Sequence, residues 1–338
     1  MTCKSGSTAS VSVFEIRKQG CHDMKICVLG AGSLGCAIGG MLAEAGEDVW
    51  LINRSQVHVE AIRRDGLKMR DNDVNRFVRV NAATDCSGVG IVDLVIVLVK
   101  SFDTRTAIAG ARSIIGPQTT VLSLQNGLGH EEILCEFVDR SRVLGGKTYV
   151  GGQMLAPGHI ILGARGKQTM IGELDGAVSP RVQAVADAFN RAGLATTVSR
   201  NIMGTIWDKL LVNVATGALS GITGLAYGDL YQVPELRTLA LAAVSEAMAV
   251  AEASGVTLTI TEPEQAWLRA GKGLPDDFKA SMLQSLEKGS VTEIDFINGA
   301  VVSAADRFGI AAPVNTALVA CIKGIERRVV RPSSPALI

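Results

Sequence analysis

Apolar positions along the chain recur with two different periods, and the change from one to the other divides it. In the first half, short and nearly continuous apolar runs end in glycine or a polar residue. Residues 25–30, KICVLG, are one such run and are predicted to form a buried strand. Residues 33–45, SLGCAIGGMLAEA, keep small and apolar residues at helical spacing, and Gly46 can end that helix. DVWLI (48–52) follows as a second strand. LVIVLVK (94–100) is an almost unbroken β-branched run, as expected of a parallel strand covered on both faces. TTVLSLQNG (119–127) reads as a strand ending in a turn, and further strands are expected within 143–162 and 167–174, around Gly- and Pro-containing turns. Residues 179–193 are helical, with Ser179 as cap and Pro180 in the first turn.

Beyond about residue 199 strand signals nearly vanish. Helical patterns run over 202–218, 234–254, 263–269, 292–308 and 314–327. The expected organisation is a βαβ domain over 24–198 and an all-helical domain over 199–330. Residues 1–23 are polar and patternless, hold no stretch apolar enough for a signal peptide or membrane span, and are expected to be a disordered extension; 331–338 read as a loose tail.

Composition narrows the partners. Two domains suit 338 residues, and 47% hydrophobic residues with 37 glycines fit a soluble α/β protein. Thirty-three basic and 33 acidic residues cancel, so no global field draws the chain to nucleic acid or to an anionic membrane. The seven cysteines show no zinc or C-x-x-C spacing and read as reduced thiols in the cytoplasm, with Cys27 and Cys36 buried. His22, His58, His130 and His159 are scattered, so no metal site is expected; His130 reads as a surface or capping residue. No G-x-S-x-G elbow supports a hydrolase.

Chemistry enters at Gly30-Ala31-Gly32-Ser33-Leu34-Gly35, a G-x-G-x-x-G between the first strand and helix. Gly30 permits the tight turn, Gly32 lets backbone approach a pyrophosphate, and Gly35 lets the helix pack close to the strand. The helix start adds free N–H donors and a positive dipole. A Rossmann-like dinucleotide-binding domain is therefore expected. In such folds an acid at the end of the second strand holds the ribose. Here Asn53 stands there, followed by Arg54, whose guanidinium fork matches a 2′-phosphate, so NADP is favoured over NAD. Lys100 lies on the carboxyl edge of the sheet, where ligands bind; a solvated strand-end lysine is the plainer reading.

In the helical half, Lys209 and Asn213 are four residues apart among apolar neighbours and share one helix face. Either they line a cleft, or Lys209 snorkels beside a structural amide. TEID (292–295) reads as a helix start with Thr292 as cap, where Glu293 would complement the dipole.

At GAGSLG (30–35), VK (99–100), QNGLG (125–129), WDKLLVN (207–213) and SML…TEIDFINGAV (281–301), the chain resembles the ketopantoate reductase (2-dehydropantoate 2-reductase) family, from about Met24 to Arg328. The resemblance implies NADPH-dependent hydride transfer to ketopantoate, a small 2-oxo acid, in pantothenate biosynthesis. It implies Lys209 as general acid and Glu293 as the acidic residue near it. Asn213 and Ser281 would bind substrate, Asn126 would face the cleft between cofactor and substrate, and Arg54 would hold the 2′-phosphate. Where the family commonly carries another asparagine, one turn beyond Asn213, this chain has Gly217. A polar group is lost there and room is expected, which keeps a different 2-oxo acid open as substrate. Glycines at 217–224 are expected to fray the helix end. A non-catalytic NADP-binding protein is the alternative of another class, though it would need none of Lys209, Asn213 or Glu293. The apolar helical faces are sufficient for a homodimer.

Overall fold

The computed structural model describes residues 24–330; the expected extension 1–23, with His22, and the tail 331–338 lie outside the described residues. Twelve strands occur among them: β1 (Lys25–Leu29), β2 (Asp48–Ile52), β3 (Leu67–Asp71), β4 (Val74–Val78), β5 (Asn81–Ala83), β6 (Val92–Val97), β7 (Ile115–Ser123), β8 (Val143–Thr148), β9 (Gly151–Ala156), β10 (His159–Gly163), β11 (Thr169–Glu173) and β12 (Thr196–Val198). Eight form one sheet in the order β12-β11-β8-β7-β6-β1-β2-β5. From β8 to β5 the neighbours are parallel, and β11 turns antiparallel to β8. β6, the β-branched run, is flanked in parallel by β1 and β7, and its Leu94–Val97 are fully buried, as a strand covered on both faces requires.

A smaller sheet, β4-β3-β10-β9, covers the helix Ser33–Glu44 on its outer side. This helix lies between two sheets because adjacent glycines leave both its faces bare. A Cβ at Gly39 would stand 2.5 Å from a Leu51 methyl, and one at Gly40 2.5 Å from the Met69 sulfur. The β3–β4 hairpin had no clear sequence signal, since its outward residues Val74 and Phe77 are apolar yet exposed.

The helical half is built round one long helix, Ile202–Thr223, whose hydrophobic surface is buried nearly all round. Helices Pro234–Ala253, Pro263–Gly271, Ser281–Glu287 and Pro313–Val329 pack against it. Its end does not fray as expected. It continues past Gly217 and Gly221 because Ile322, Leu286 and Met282 pack into those notches, and it stops at Gly224 in the left-handed conformation.

A second expectation that fails is a helix from Thr292. The helix begins at Asn298, after a single 3-10 turn, Ile294–Phe296. Thr292 is held by the Glu326 carboxylate, which accepts from its N–H and its hydroxyl at 2.7 Å each, and Ile297 leaves helical backbone geometry (φ −110°, ψ −95°). Glu293 is thereby turned out of a helix and toward the sheet edge.

Two contacts seat the halves on each other. At the sheet, a Cβ on Gly145 of β8 would lie 3.2 Å from Ile206, and one on Gly172 of β11 would lie 2.8 Å from Ile202, so the long helix rests almost on backbone. At the loop after β7, the Leu128 N–H donates to the Phe296 carbonyl at 2.9 Å, and His130 stacks on the Phe296 ring at 5.3 Å. His130 is buried, not at the surface: Gly129 turns the chain so that the imidazole faces Phe296. Gly127 sits between these contacts at φ +100°, where a Cβ would meet the Phe296 carbonyl oxygen at 2.4 Å. Gly127→Ala is expected to cost about 1–3 kcal/mol of stability through backbone strain and this clash. A urea midpoint equal to that of the parent would contradict the clasp.

Candidate active site

The glycine turn is assembled by backbone bonds from β2. Gly30 and Ala31 N–H groups both donate to the Ile52 carbonyl, at 3.1 and 2.9 Å. Gly30 takes φ +98°, with Val99 backbone 2.4 Å from where its Cβ would be, and a Cβ on Gly35 would strike the Gly30 carbonyl oxygen at 2.3 Å. At Gly32, by contrast, a Cβ would meet nothing within 4 Å. The middle glycine therefore faces open space, and the first helical turn above it carries N–H groups without intrahelical partners. That is the donor set and clearance a pyrophosphate needs.

A cleft of about 760 Å³ opens in front of this turn. It is lined by Gly30, Gly32, Ser33, Leu34 and Gly35 of the turn, by Asn53 and Arg54, and by Lys100, Asn126, Ser281 and Glu293. Ala31 is buried beneath the turn. Lys209 and Asn213 are half-buried on the long helix Ile202–Thr223 and do not themselves line this cleft.

Asn53 and Arg54 divide their work. The Asn53 amide donates to the Ala31 carbonyl at 2.7 Å and its Oδ1 accepts from the Ser55 N–H at 2.9 Å, so this side chain braces the turn. Arg54 is exposed at the cleft mouth and pairs with Asp103 at 2.8 Å, an acid that sequence reasoning missed.

Glu293 is the junction of the two halves. Its Oε1 accepts from the Ser101 hydroxyl at 2.6 Å and the Ser101 N–H at 3.1 Å, and its Oε2 from Lys100 at 3.3 Å. Burial pushes this carboxyl up, but the Lys100 charge and the Ser101 hydrogen bonds outweigh it and hold the group below the usual carboxylate range. Lys100 is thus ion-paired rather than simply solvated, and Ser101 is a site residue that only the fold reveals. The Ser101 hydroxyl oxygen also lies 3.3 Å from the Asn126 carbonyl, in the loop that brings Asn126 to the cleft. Ser281 opens its helix at the cleft rim because Met282 and Leu286 of the same helix pack on Gly221.

Lys209 donates to the Thr148 carbonyl at the end of β8, at 2.7 Å, with its nitrogen 5.5 Å from the Tyr149 ring centre. Burial brings its pKa down to about 8, the neighbouring Lys147 ammonium contributes in the same direction, and Glu293 opposes both. The amine therefore sits within the electrostatic reach of a carboxylate that lines the cleft, tethered one residue before Tyr149 and two before the cleft-lining Val150. At Gly217 the expected room is not open, because the Met282 methyl lies 3.7 Å from the Cβ position. The five described cysteines are free, Cys27 and Cys36 fully buried, and no group of three or more His, Cys, Asp or Glu residues that could hold a metal occurs among the described residues.

A parallel sheet with a glycine turn at its ligand-binding edge, joined to a helical half, is the architecture of a dinucleotide-binding protein. The family described as "Ketopantoate reductase PanE/ApbA" matches residues 26–176, and "Ketopantoate reductase PanE/ApbA C terminal" matches 201–326. The 2-dehydropantoate 2-reductase of Halobacterium salinarum is 37% identical over 308 residues, spanning 90% of this chain and 99% of the relative. Among solved structures, a PanE/ApbA family ketopantoate reductase from Ralstonia eutropha JMP134 superposes with TM-score 0.83 at 35% identity, over 91% of this chain and all of that one. A ternary structure of D-mandelate dehydrogenase with NADH and anilino(oxo)acetate also superposes at 0.83, with 27% identity and coverage of 90% and 99%. This chain belongs to the ketopantoate reductase family, a family of NADP-dependent oxidoreductases.

The geometry separates two neighbouring residues by calorimetry of cofactor binding. Asn53→Ala, which loosens the turn, is expected to weaken NADPH and NADH alike. Arg54→Gln is expected to weaken NADPH about tenfold and leave NADH unchanged, since only the former carries a 2′-phosphate. Equal losses for both cofactors in Arg54→Gln would contradict the assignment.

Proposed function

We propose that this protein reduces ketopantoate, a 2-oxo acid, to pantoate with NADPH, and that Lys209 is the general acid. The observation that carries the reading is the placement of one amine. Lys209 lies on the helix seated against β8, within reach of the charge of Glu293, which is itself bonded to the dinucleotide half through Ser101 and Lys100.

The cofactor, when bound, supplies the hydride. Residues 30–35 would hold its pyrophosphate and Arg54 its 2′-phosphate. As negative charge grows on the ketone oxygen, the Lys209 ammonium stabilises it and gives up a proton from Nζ. A lysine lowered to about 8 is a better acid than an ordinary one and stays largely protonated at neutral pH. Glu293 favours the charged form of that amine, while Asn126, Asn213 and Ser281 would bind the substrate's polar groups. Lys209 must exchange the Thr148 carbonyl for the substrate oxygen.

Residues 24–198 would carry the cofactor and 199–330 the acid. The apolar groove among Leu219, Leu236, Val314 and Leu318 supports pairing with a second copy. No described helix is long and apolar enough to cross a membrane, and a cytoplasmic location suits the reading. A different 2-oxo acid is the second reading. It is favoured by Gly217, which lacks the amide that the family commonly carries there, and by the likeness to D-mandelate dehydrogenase.

Following nicotinamide absorbance with ketopantoate and a panel of other 2-oxo acids separates the two. Lys209→Ala is expected to bind NADPH normally and lose turnover by on the order of 10²–10⁴. Because the acid must be protonated, parent activity should fall as pH rises through about 8. Full turnover in Lys209→Ala would sink the assignment.

A further inference from the structure

Lys147 has no role in the reaction as described, yet it is a nearly buried side chain close to Lys209. It lies on β8 with only 8% of its surface exposed, and no described carboxylate pairs with it. Its nitrogen lies 4.9 Å from the centre of the Tyr149 ring, and the nitrogen of Lys209 lies 5.5 Å from the same ring centre. The pleat explains the meeting. Gly145 faces Ile202 and Ile206 of the long helix, so Lys147, two residues on, faces the same way, beside the turn that carries Lys209. Two ammonium groups thus share one aromatic side chain, next to a cleft whose carboxylate, Glu293, is already engaged by Ser101 and Lys100. Holding a nearly buried cation without an anion is unfavourable unless a ligand supplies one.

We propose that Lys147 is a positioning residue for the reaction: with Lys209 it forms a cation pair across Tyr149 that draws in the carboxylate of the 2-oxo acid and keeps Lys209 a ready proton donor. The proposal rests on Lys209 being the acid, as argued above. The charged groups acting on Lys209 are Lys147 from β8 and Glu293 from the turn before the helix Asn298–Phe308; Asp208 on its own helix is turned away and accepts from the Thr259 and Ile260 N–H groups. The direction in which Lys147 moves the amine agrees with the geometry.

The test compares Lys147→Met with Lys147→Arg. Expected in Lys147→Met is a KM for the 2-oxo acid raised about tenfold with NADPH affinity unchanged, and an alkaline limb of kcat/KM moved up by about one pH unit. Lys147→Arg, which keeps the charge, should hold both near the parent. A second readout needs no substrate: the pH dependence of Lys209 modification by trinitrobenzenesulfonate, read by peptide mass mapping, should shift upward in Lys147→Met alone. If the parent reduces no 2-oxo acid, the catalytic reading fails while this titration still reports on the pair. An unmoved KM, limb and titration midpoint in Lys147→Met, or equal shifts in Lys147→Arg, would overturn the proposal.

Discussion

The site depends on how closely one helix can sit on one sheet. Gly145 and Gly172 remove side chains from neighbouring strands at the places where Ile202 and Ile206 arrive, so the helix Ile202–Thr223 approaches backbone. Side chains there would lift the helix, and its amine would no longer reach the end of β8. With them absent, Lys209 touches the Thr148 carbonyl, and the two halves of the protein meet where a ligand can bridge them. The second contact, between the loop after β7 and the turn at Phe296, fixes the other wall of the cleft and aims Glu293 at Ser101.

Electrostatics follow from that seating. Burial makes the Lys209 ammonium less favourable, a second lysine adds to the effect, and the Glu293 carboxylate limits it. The result is an amine balanced between its two forms near pH 8 rather than locked in either. The cofactor end is arranged on different terms. Its donors are backbone N–H groups, its clearance comes from Gly32, and Arg54 stands at the mouth with Asp103 as companion.

Much of this was legible in the sequence, for physical reasons. Strands buried on both faces give unbroken apolar runs, so β1, β2 and β6 could be read directly. The glycine turn could be read because each glycine answers a separate steric demand. The long helix and the i, i+4 relation of Lys209 and Asn213 follow from period alone. What was hidden depends on contacts between distant residues. Ser101, Asp103 and Lys147 carry no motif; the first two matter only because a turn nearly two hundred residues away and the end of β2 fold against them. The false helix start at Thr292 had a good local signal, but Glu326 captures that threonine and the backbone at Ile297 turns away. His130 looked superficial because nothing nearby in sequence announces Phe296 as its stacking partner.

The most direct test is a crystal structure with NADP and an unreactive analogue of the 2-oxo acid. The account predicts that the Lys209 nitrogen leaves the Thr148 carbonyl and stands about 3 Å from the analogue's ketone-equivalent oxygen, with Glu293 still on Ser101. A complex in which Lys209 stays on Thr148 while another donor holds that oxygen would contradict it.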